Sequence, residues 1–377
     1  MQVTRLDLRL VRVNERGDWL FVQVHTDAGL TGIGEASHGG SGPARDRVVA
    51  AIVREQIAPL LVGRDPRAVR AAVAALRPVA SGLPGWTAVS AVEQALWDLA
   101  GQAAGLPVYR LLGGPARERI PLYANINRAT RDRTPAGFAA SARAAAAQGF
   151  GAIKCAPFDG VDPLSGRDRA GRALVAAGLA RVAAIRDALG PTPDLYVDCH
   201  GRFDVATAVW VARELATLGV RWFEEPVPTE DRAALAQVRD RVAVEVIGGE
   251  HLLGPAACWP YLADRLFGTL MPDVKHCGGI GGLVAIGELA AAAGVAVAPH
   301  NPSGPVALAA SLQAAAVLPG LRILEYAWGE VDWRAGLVTP AEAIVAGELA
   351  LPTAPGLGVR LDEAAVGAHG GALAGPS

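Results

Sequence analysis

The sequence predicts an α/β protein, a barrel of parallel strands preceded by a smaller α+β domain, and three observations predict it. From about residue 120 onward, eight short apolar runs alternate with Ala-rich helical runs, the pattern of repeated βα units. Most of those runs end in a polar or ionisable residue, and from Asp198 to Glu325 these follow one another at steps of 23 to 27 residues. The 377 residues, 51% of them hydrophobic, suit one large core plus a smaller one.

Residues 1 to about 36 read as strands. Trp19–Thr26 is β-prone, and Asp27-Ala28-Gly29 signals a turn. Gly32-Ile33-Gly34 then reads as strand glycine: a dinucleotide fingerprint would need a further Gly and a βαβ unit. Residues from about 44 to 113 read as helical, with apolar residues at helical spacing from Ala88 to Ala104 and a stop at Gly105-Leu106-Pro107. Residues 1–115 thus form the α+β domain. The eight strand candidates are 122–124, 151–154, 195–198, 220–224, 246–250, 269–273, 295–298 and 321–325, within a barrel spanning 116–330. Residues 331–377 form a closing segment, and the Gly-, Ala- and Ser-rich tail after about 366 is expected to be disordered.

Composition excludes several classes of function. A formal net charge of −2 with no basic run argues against nucleic acid as partner. No uninterrupted apolar stretch is long enough to span a membrane, and the first residues lack the apolar core of a secretory signal. Cys155, Cys199, Cys258 and Cys277 are scattered without a CxxC, which suits reduced thiols in a cytoplasmic protein. Of 35 basic side chains only Lys154 and Lys275 are lysine, which makes these two candidates for a chemical role, with chance as the alternative.

Lys154, Asp198, Glu224, Glu250, Asp273, His300 and Glu325 sit at or just past strand C-terminal ends, so each βα repeat carries its group to one mouth of the barrel, where barrel enzymes keep their active sites. One such carboxylate alone reads as a helix cap or an ion pair. Asp198, Glu224 and Glu250, on three successive strands, would repel one another unless a cation neutralised them. All-oxygen ligation suits Mg2+, or Mn2+, rather than zinc. Asp198 and His200, two apart, would face one side of a strand. Asp273 beside His300 on the neighbouring strand would fix the imidazole tautomer and make a general base. His200, His251, His276 and His300 all fall at strand ends, which packing alone does not explain.

At these residues the chain resembles the mandelate racemase/muconate lactonizing enzyme branch of the enolase superfamily. The resemblance covers nearly the whole chain: Gly29–Ala36, Ala95–Gly101 with Leu111–Gly114, Glu224-Glu225-Pro226, Gly249-Glu250-His251, Met271-Pro272-Asp273 with Cys277-Gly278-Gly279, and Pro355–Val359. Asp198–Arg202 and Ala298–Pro302 with Gly304-Pro305 are similar to the galactonate dehydratase group of acid-sugar dehydratases. The resemblance implies a modified TIM barrel, (β/α)7β, capped by the α+β domain, and a homo-oligomer between dimer and octamer.

It also implies Asp198, Glu224 and Glu250 as Mg2+ ligands, Asp273–His300 as base, His200 as acid, and Glu325 as a hydrogen-bonding partner of the substrate carboxylate. Lys154 would neutralise that carboxylate. Asn301, His276, His38 and Trp86 are further substrate-binding candidates, the last two in the specificity loops His38–Gly42 and Pro84–Trp86 of the cap. Ala156 stands where the family carries a second lysine, which argues against lysine-driven racemisation. Lys275 and His276 both remain candidates to face the site. The expected activity is a hydro-lyase: the proton α to a carboxylate is removed, the enolate is stabilised by the metal, and the 3-hydroxyl is lost to give a 2-keto-3-deoxy acid. Competing readings are a racemase or epimerase, a cycloisomerase, and a non-enzymatic metal- or sugar-binding barrel.

Overall fold

Three antiparallel strands open the chain: β1 (Val3–Asn14), β2 (Gly17–Thr26) and β3 (Thr31–Glu35). The computed structural model describes residues 1–14, 17–40, 44–163, 168–371 and 373. Leu20, Val22 and Val24 of β2 are buried in the same core as Ala88, Val92, Ala95 and Leu99 of the long helix Gly82–Ala104. The helix lies directly on β3. A Cβ on Gly32 would stand 2.1 Å from the Ala95 carbonyl oxygen, and one on Gly34 1.9 Å from that of Ala91, so the Gly-Ile-Gly run is there for close approach. Helical structure runs through Arg45–Ala51, Ile52–Ile57, Ala58–Leu61 and Val69–Leu76 before the long helix, and Val108–Leu111 follows it.

The second sheet holds eight parallel strands: β4 (Arg119–Asn125), β5 (Ala152–Cys155), β6 (Asp194–Asp198), β7 (Val220–Glu224), β8 (Glu245–Gly248), β9 (Thr269–Leu270), β10 (Ala296–Val297) and β11 (Leu324–Ala327). Each pairs with the next from β4 to β10, and β11 pairs back onto β4. Between β10 and β11 the ladder shrinks to the bridge Val297–Leu321, carried by Val297 N–H to the Gly320 carbonyl at 3.0 Å and Arg322 N–H to the Val297 carbonyl at 2.9 Å.

The barrel interior explains how the mouth is built. Tyr123, Ala152, Tyr196, Trp222, Ile247, Met271 and Ala298 form one buried apolar layer, with Ile323 against it. Strand side chains alternate faces, so the residue two further along points the same way, one layer higher. Those residues are Asn125, Lys154, Asp198, Glu224, Gly249, Asp273, His300 and Glu325. Seven of the eight strands thus place a polar group above the plug. In β8 the place falls to Gly249 (φ +101), where a Cβ would meet Leu270 at 2.9 Å, and Glu250 follows one residue later.

Residues after the barrel return to both sheets. Glu348–Ala350 pairs with the outer end of β4, and Gly370–Gly371 pairs with β1. The chain is ordered past the point where a disordered tail was expected. Asp362 caps the helix Glu363–Ala368 by accepting from the Ala365 N–H at 2.9 Å, and Val366 is buried. Residues 374–377 of that tail, and Ser41 and Gly42 of the proposed specificity loop, lie outside the described residues. All four cysteines are buried and unpaired, and among the described residues no helix is long and apolar enough to cross a membrane.

Candidate active site

The first domain is clamped over the mouth by buried carboxylates. Glu35 accepts from the Gly304 and Ala307 N–H groups at 2.7 and 2.8 Å, holding the start of the helix Pro305–Ala315. Glu93 accepts from Ile280 and Gly281 at 2.7 and 2.8 Å. Asp98 accepts from Leu357 at 2.8 Å and from Ile33 at 3.0 Å, tying the cap to the C-terminal segment.

Beneath the clamp, Asp198, Glu224 and Glu250 are all buried, and each offers an oxygen within 4.8 Å of the others. Burial, and then the charge of Asp198, drives the Glu224 carboxyl well above the usual carboxylate range, with Lys154 opposing. That frustration is what a cation would relieve. The trio Glu225, Glu250 and His251 is also within reach. Glu225, however, accepts from the Gly249 N–H at 3.1 Å and His251 is exposed, so the all-oxygen trio is the better cage. The donor set therefore fits a divalent metal.

Lys154 reaches across the barrel to Glu224 (2.9 and 3.0 Å), Glu325 (3.1 Å) and Asp198 (3.8 Å). Burial opposes its charge, but the carboxylates outweigh that and hold the ammonium well above its usual range. Glu325 also accepts from the Asn125 amide at 2.6 Å and the Asn301 N–H at 2.9 Å.

His300 Nδ1 lies 2.8 Å from Asp273, and Nε2 lies 2.9 Å from Glu250. Burial works against protonating this imidazole, yet Glu250 and Glu325 raise it well above its usual range. On the other edge of the trio, His200 Nε2 lies 3.2 Å from Asp198. The strand pleat does not place it there. β6 ends at Asp198, and His200 sits in a left-handed turn (φ +50) whose N–H donates to Asp198 at 3.1 Å.

The cavity above these groups, about 250 Å3, is walled by His38, Arg128, His251, Lys275 and His276 as well as the two histidines of the trio's edges. Lys275 and His276 both face it. Lys275 is bound to Asp273 at 2.6 Å, and His276 to the Thr87 hydroxyl at 2.9 Å. Burial, then Lys275, pushes His276 down to about 3. Burial, then Arg128, pushes His38 well below its usual range, so both imidazoles are neutral polar contacts.

Two candidates take other places. Trp86 does not line the cavity but packs on the loops beside it, where a Cβ on Gly254 would stand 2.3 Å from its ring. Asn301 is buried and serves Glu325, its amide donating to the Glu325 carbonyl at 3.3 Å. Asn125, Asn127 and Arg128 line the cavity without having been singled out from the sequence. Asn125 follows the same two-residue rule from Tyr123; Arg128, held by Glu330 at 2.6 Å, lies in the loop after β4 and leaves no local signal.

The chain is similar to known proteins along nearly its whole length. Residues 11–113 match the family model of the mandelate racemase/muconate lactonizing enzyme N-terminal domain, and residues 137–365 match the enolase C-terminal domain-like model. D-xylonate dehydratase of Haloferax volcanii is 32% identical over 96% of this chain and 88% of its own. D-galactonate dehydratase of Ralstonia nicotianae is 34% identical over 97% and 94%. Among solved structures, a mandelate racemase/muconate lactonizing enzyme of Jannaschia sp. CCS1 superposes with a TM-score of 0.86 at 31% identity, covering 99% of this chain and 98% of that one. The chain belongs to the mandelate racemase/muconate lactonizing enzyme family of the enolase superfamily.

Proposed function

We propose that this protein is a Mg2+-dependent acid-sugar dehydratase, a hydro-lyase that yields a 2-keto-3-deoxy acid. The observation that carries the reading is the placement of two histidines on different edges of one buried carboxylate trio, His300 against Glu250 (2.9 Å) and His200 against Asp198 (3.2 Å). The dehydratase names of full-length relatives support the same reaction class.

A divalent cation held by Asp198, Glu224 and Glu250 would supply the positive charge the trio lacks and meet the charge that develops on the substrate carboxylate as its α-proton leaves. The all-oxygen donors support Mg2+, with Mn2+ as substitute. Asp273 keeps a hydrogen on His300 Nδ1, and with the charge of Glu250 met by a cation, Nε2 would be the atom that takes the α-proton. Lys154 and Asn125 hold Glu325 in place at the inner end of the site. His200, reached from the other edge, gives its proton to the departing 3-hydroxyl. Water leaves, and the enol tautomerises to the keto acid. Ala156, a methyl at the exit of β5, offers no rival base.

The test is a panel of mono- and diacid sugars incubated with the protein and Mg2+, read as 2-keto acid release. Release from at least one member supports the reading. Silence across the panel, or recovery of a C2 epimer in place of a keto acid, contradicts it.

A further inference from the structure

Lys275 stands in the turn that follows β9, two residues beyond Asp273. Asp273 itself organises that turn. Its carbonyl accepts from the His276 and Cys277 N–H groups, each at 2.9 Å, and its Oδ1 accepts from the Lys275 N–H at 2.8 Å. The turn brings the Lys275 side chain back over the same carboxylate, with Nζ 2.6 Å from Oδ2. His300 Nδ1 lies 2.8 Å from that same Oδ2. One oxygen thus serves the ammonium and the imidazole together, and both side chains of the ion pair are buried.

We propose that Lys275 is a positioning residue for the base: its ammonium completes the grip on Asp273, and through Asp273 it holds the hydrogen of His300 on Nδ1. Within the dehydratase reading, on which this rests, His300 is the base and Lys275 prepares it.

A buried carboxylate with no cation beside it favours its protonated form. A protonated Asp273 would donate to His300 Nδ1, and the imidazole hydrogen would then sit on Nε2, where no lone pair remains for the α-proton. Burial pushes Asp273 that way. Lys275 is the largest of the influences that oppose it, and together they hold the carboxyl well below its usual range.

The ammonium is itself aimed. Thr87 gives its hydroxyl hydrogen to the Leu83 carbonyl at 2.7 Å, so its oxygen accepts from His276 Nδ1 at 2.9 Å. His276 Nε2 is therefore the bare nitrogen, and it lies 3.5 Å from Lys275 Nζ, at the outer edge of hydrogen-bond reach. The cap helix Gly82–Ala104 thus fixes His276, His276 steadies Lys275, and Lys275 steadies Asp273.

The experiment reads the tautomer directly. Protein labelled with 15N at histidine and loaded with Mg2+ is examined by long-range 1H–15N correlation, with His300 assigned by its loss in His300→Asn. The hydrogen is expected on Nδ1 in the wild type and on Nε2 in Lys275→Met. Lys275→Gln, which keeps a donor without the charge, is expected to follow Lys275→Met and stands in for it should that variant not fold. Lys275→Arg is expected to recover part of the wild-type pattern. On an acid sugar that turns over, Lys275→Met should lower kcat by about 10- to 100-fold with KM little changed, the usual effect of losing an outer partner of a functional imidazole. In an Asp273→Asn background the same substitution should cost nothing further, because Lys275 acts through Asp273. An unchanged His300 tautomer, a loss in KM alone, or losses that add in the double variant overturn the proposal and leave the dehydratase reading standing. A wild type silent on every acid sugar overturns the dehydratase reading, and the tautomer pattern then decides the grip on its own.

Discussion

The Lys154 ammonium lies 2.9 and 3.0 Å from the two carboxylate oxygens of Glu224, and both side chains are fully enclosed. One lysine thus balances part of a cluster of four acids, Asp198, Glu224, Glu250 and Glu325, and a cation held by the trio would balance more of it.

Lys154→Met leaves that cluster without its ammonium. In the metal-free state its melting temperature should fall well below that of the wild type, because unpaired buried charge is costly. Mg2+ should recover more of that loss in the variant than it adds to the wild type. Turnover should fall by about 10²–10³-fold, the usual effect of removing one preorganised electrostatic contact. Calorimetry with and without Mg2+ reads the first effect and steady-state kinetics the second.

Metal binding itself should be visible as stability. At Mg2+ a hundredfold above its dissociation constant, the folded state gains about 2.7 kcal/mol. Asp198→Asn or Glu250→Gln should erase the thermal shift. A shift that survives either change places the ion elsewhere.

The two histidines should separate by isotope. His300→Asn should abolish exchange of the substrate α-proton with solvent deuterium. His200→Asn should block dehydration more than exchange, because its task begins after the α-proton has gone. Equal loss of both signals in His200→Asn contradicts its role as leaving-group acid.

The clamp should titrate. Burial pushes the Glu93 carboxyl up to about 8, against the pull of its N–H partners at Gly281 and Ile280. The unfolded carboxyl releases its proton near ~4.3, so between about pH 4.5 and 8 the folded state holds a proton that the unfolded state has lost. Stability therefore falls as pH rises through that window, by up to ~1.4 kcal/mol per unit. Glu93→Gln should lack this slope, so its melting temperature relative to the wild type should climb from pH 5 to pH 8. Parallel curves contradict the shift.

Much of this was legible in the sequence because strand geometry is periodic. A polar group two residues beyond an apolar plug residue repeats through the barrel, and the repeat marks Lys154, Asp198, Glu224, Asp273, His300 and Glu325 without a structure. Asn125 obeys the same rule but carries no charge to draw attention. The family motifs were visible as strings, yet their physical task was not. Glu35 clamps the cap to the barrel and Asp98 ties it to the C-terminal segment, each through backbone N–H groups more than 200 residues away, which no local pattern encodes.

What could not be read depends on loops and turns. His200 reaches the trio through a left-handed turn rather than a pleat. Trp86 faces the Gly254 and Gly278 loops rather than the cavity. The Gly- and Ala-rich C-terminus suggested disorder, but Gly370 and Gly371 pair with Val11 and Leu10 because β1 offers them an open edge.

The proposed reaction removes an α-proton and then loses the neighbouring hydroxyl. Its most direct test is proton NMR of the reaction run in D2O on the acid sugar that turns over. It predicts a 2-keto-3-deoxy acid with one deuterium at C3, delivered as the enol tautomerises. Starting skeleton recovered with deuterium and inverted configuration at C2, and no new methylene, would contradict it.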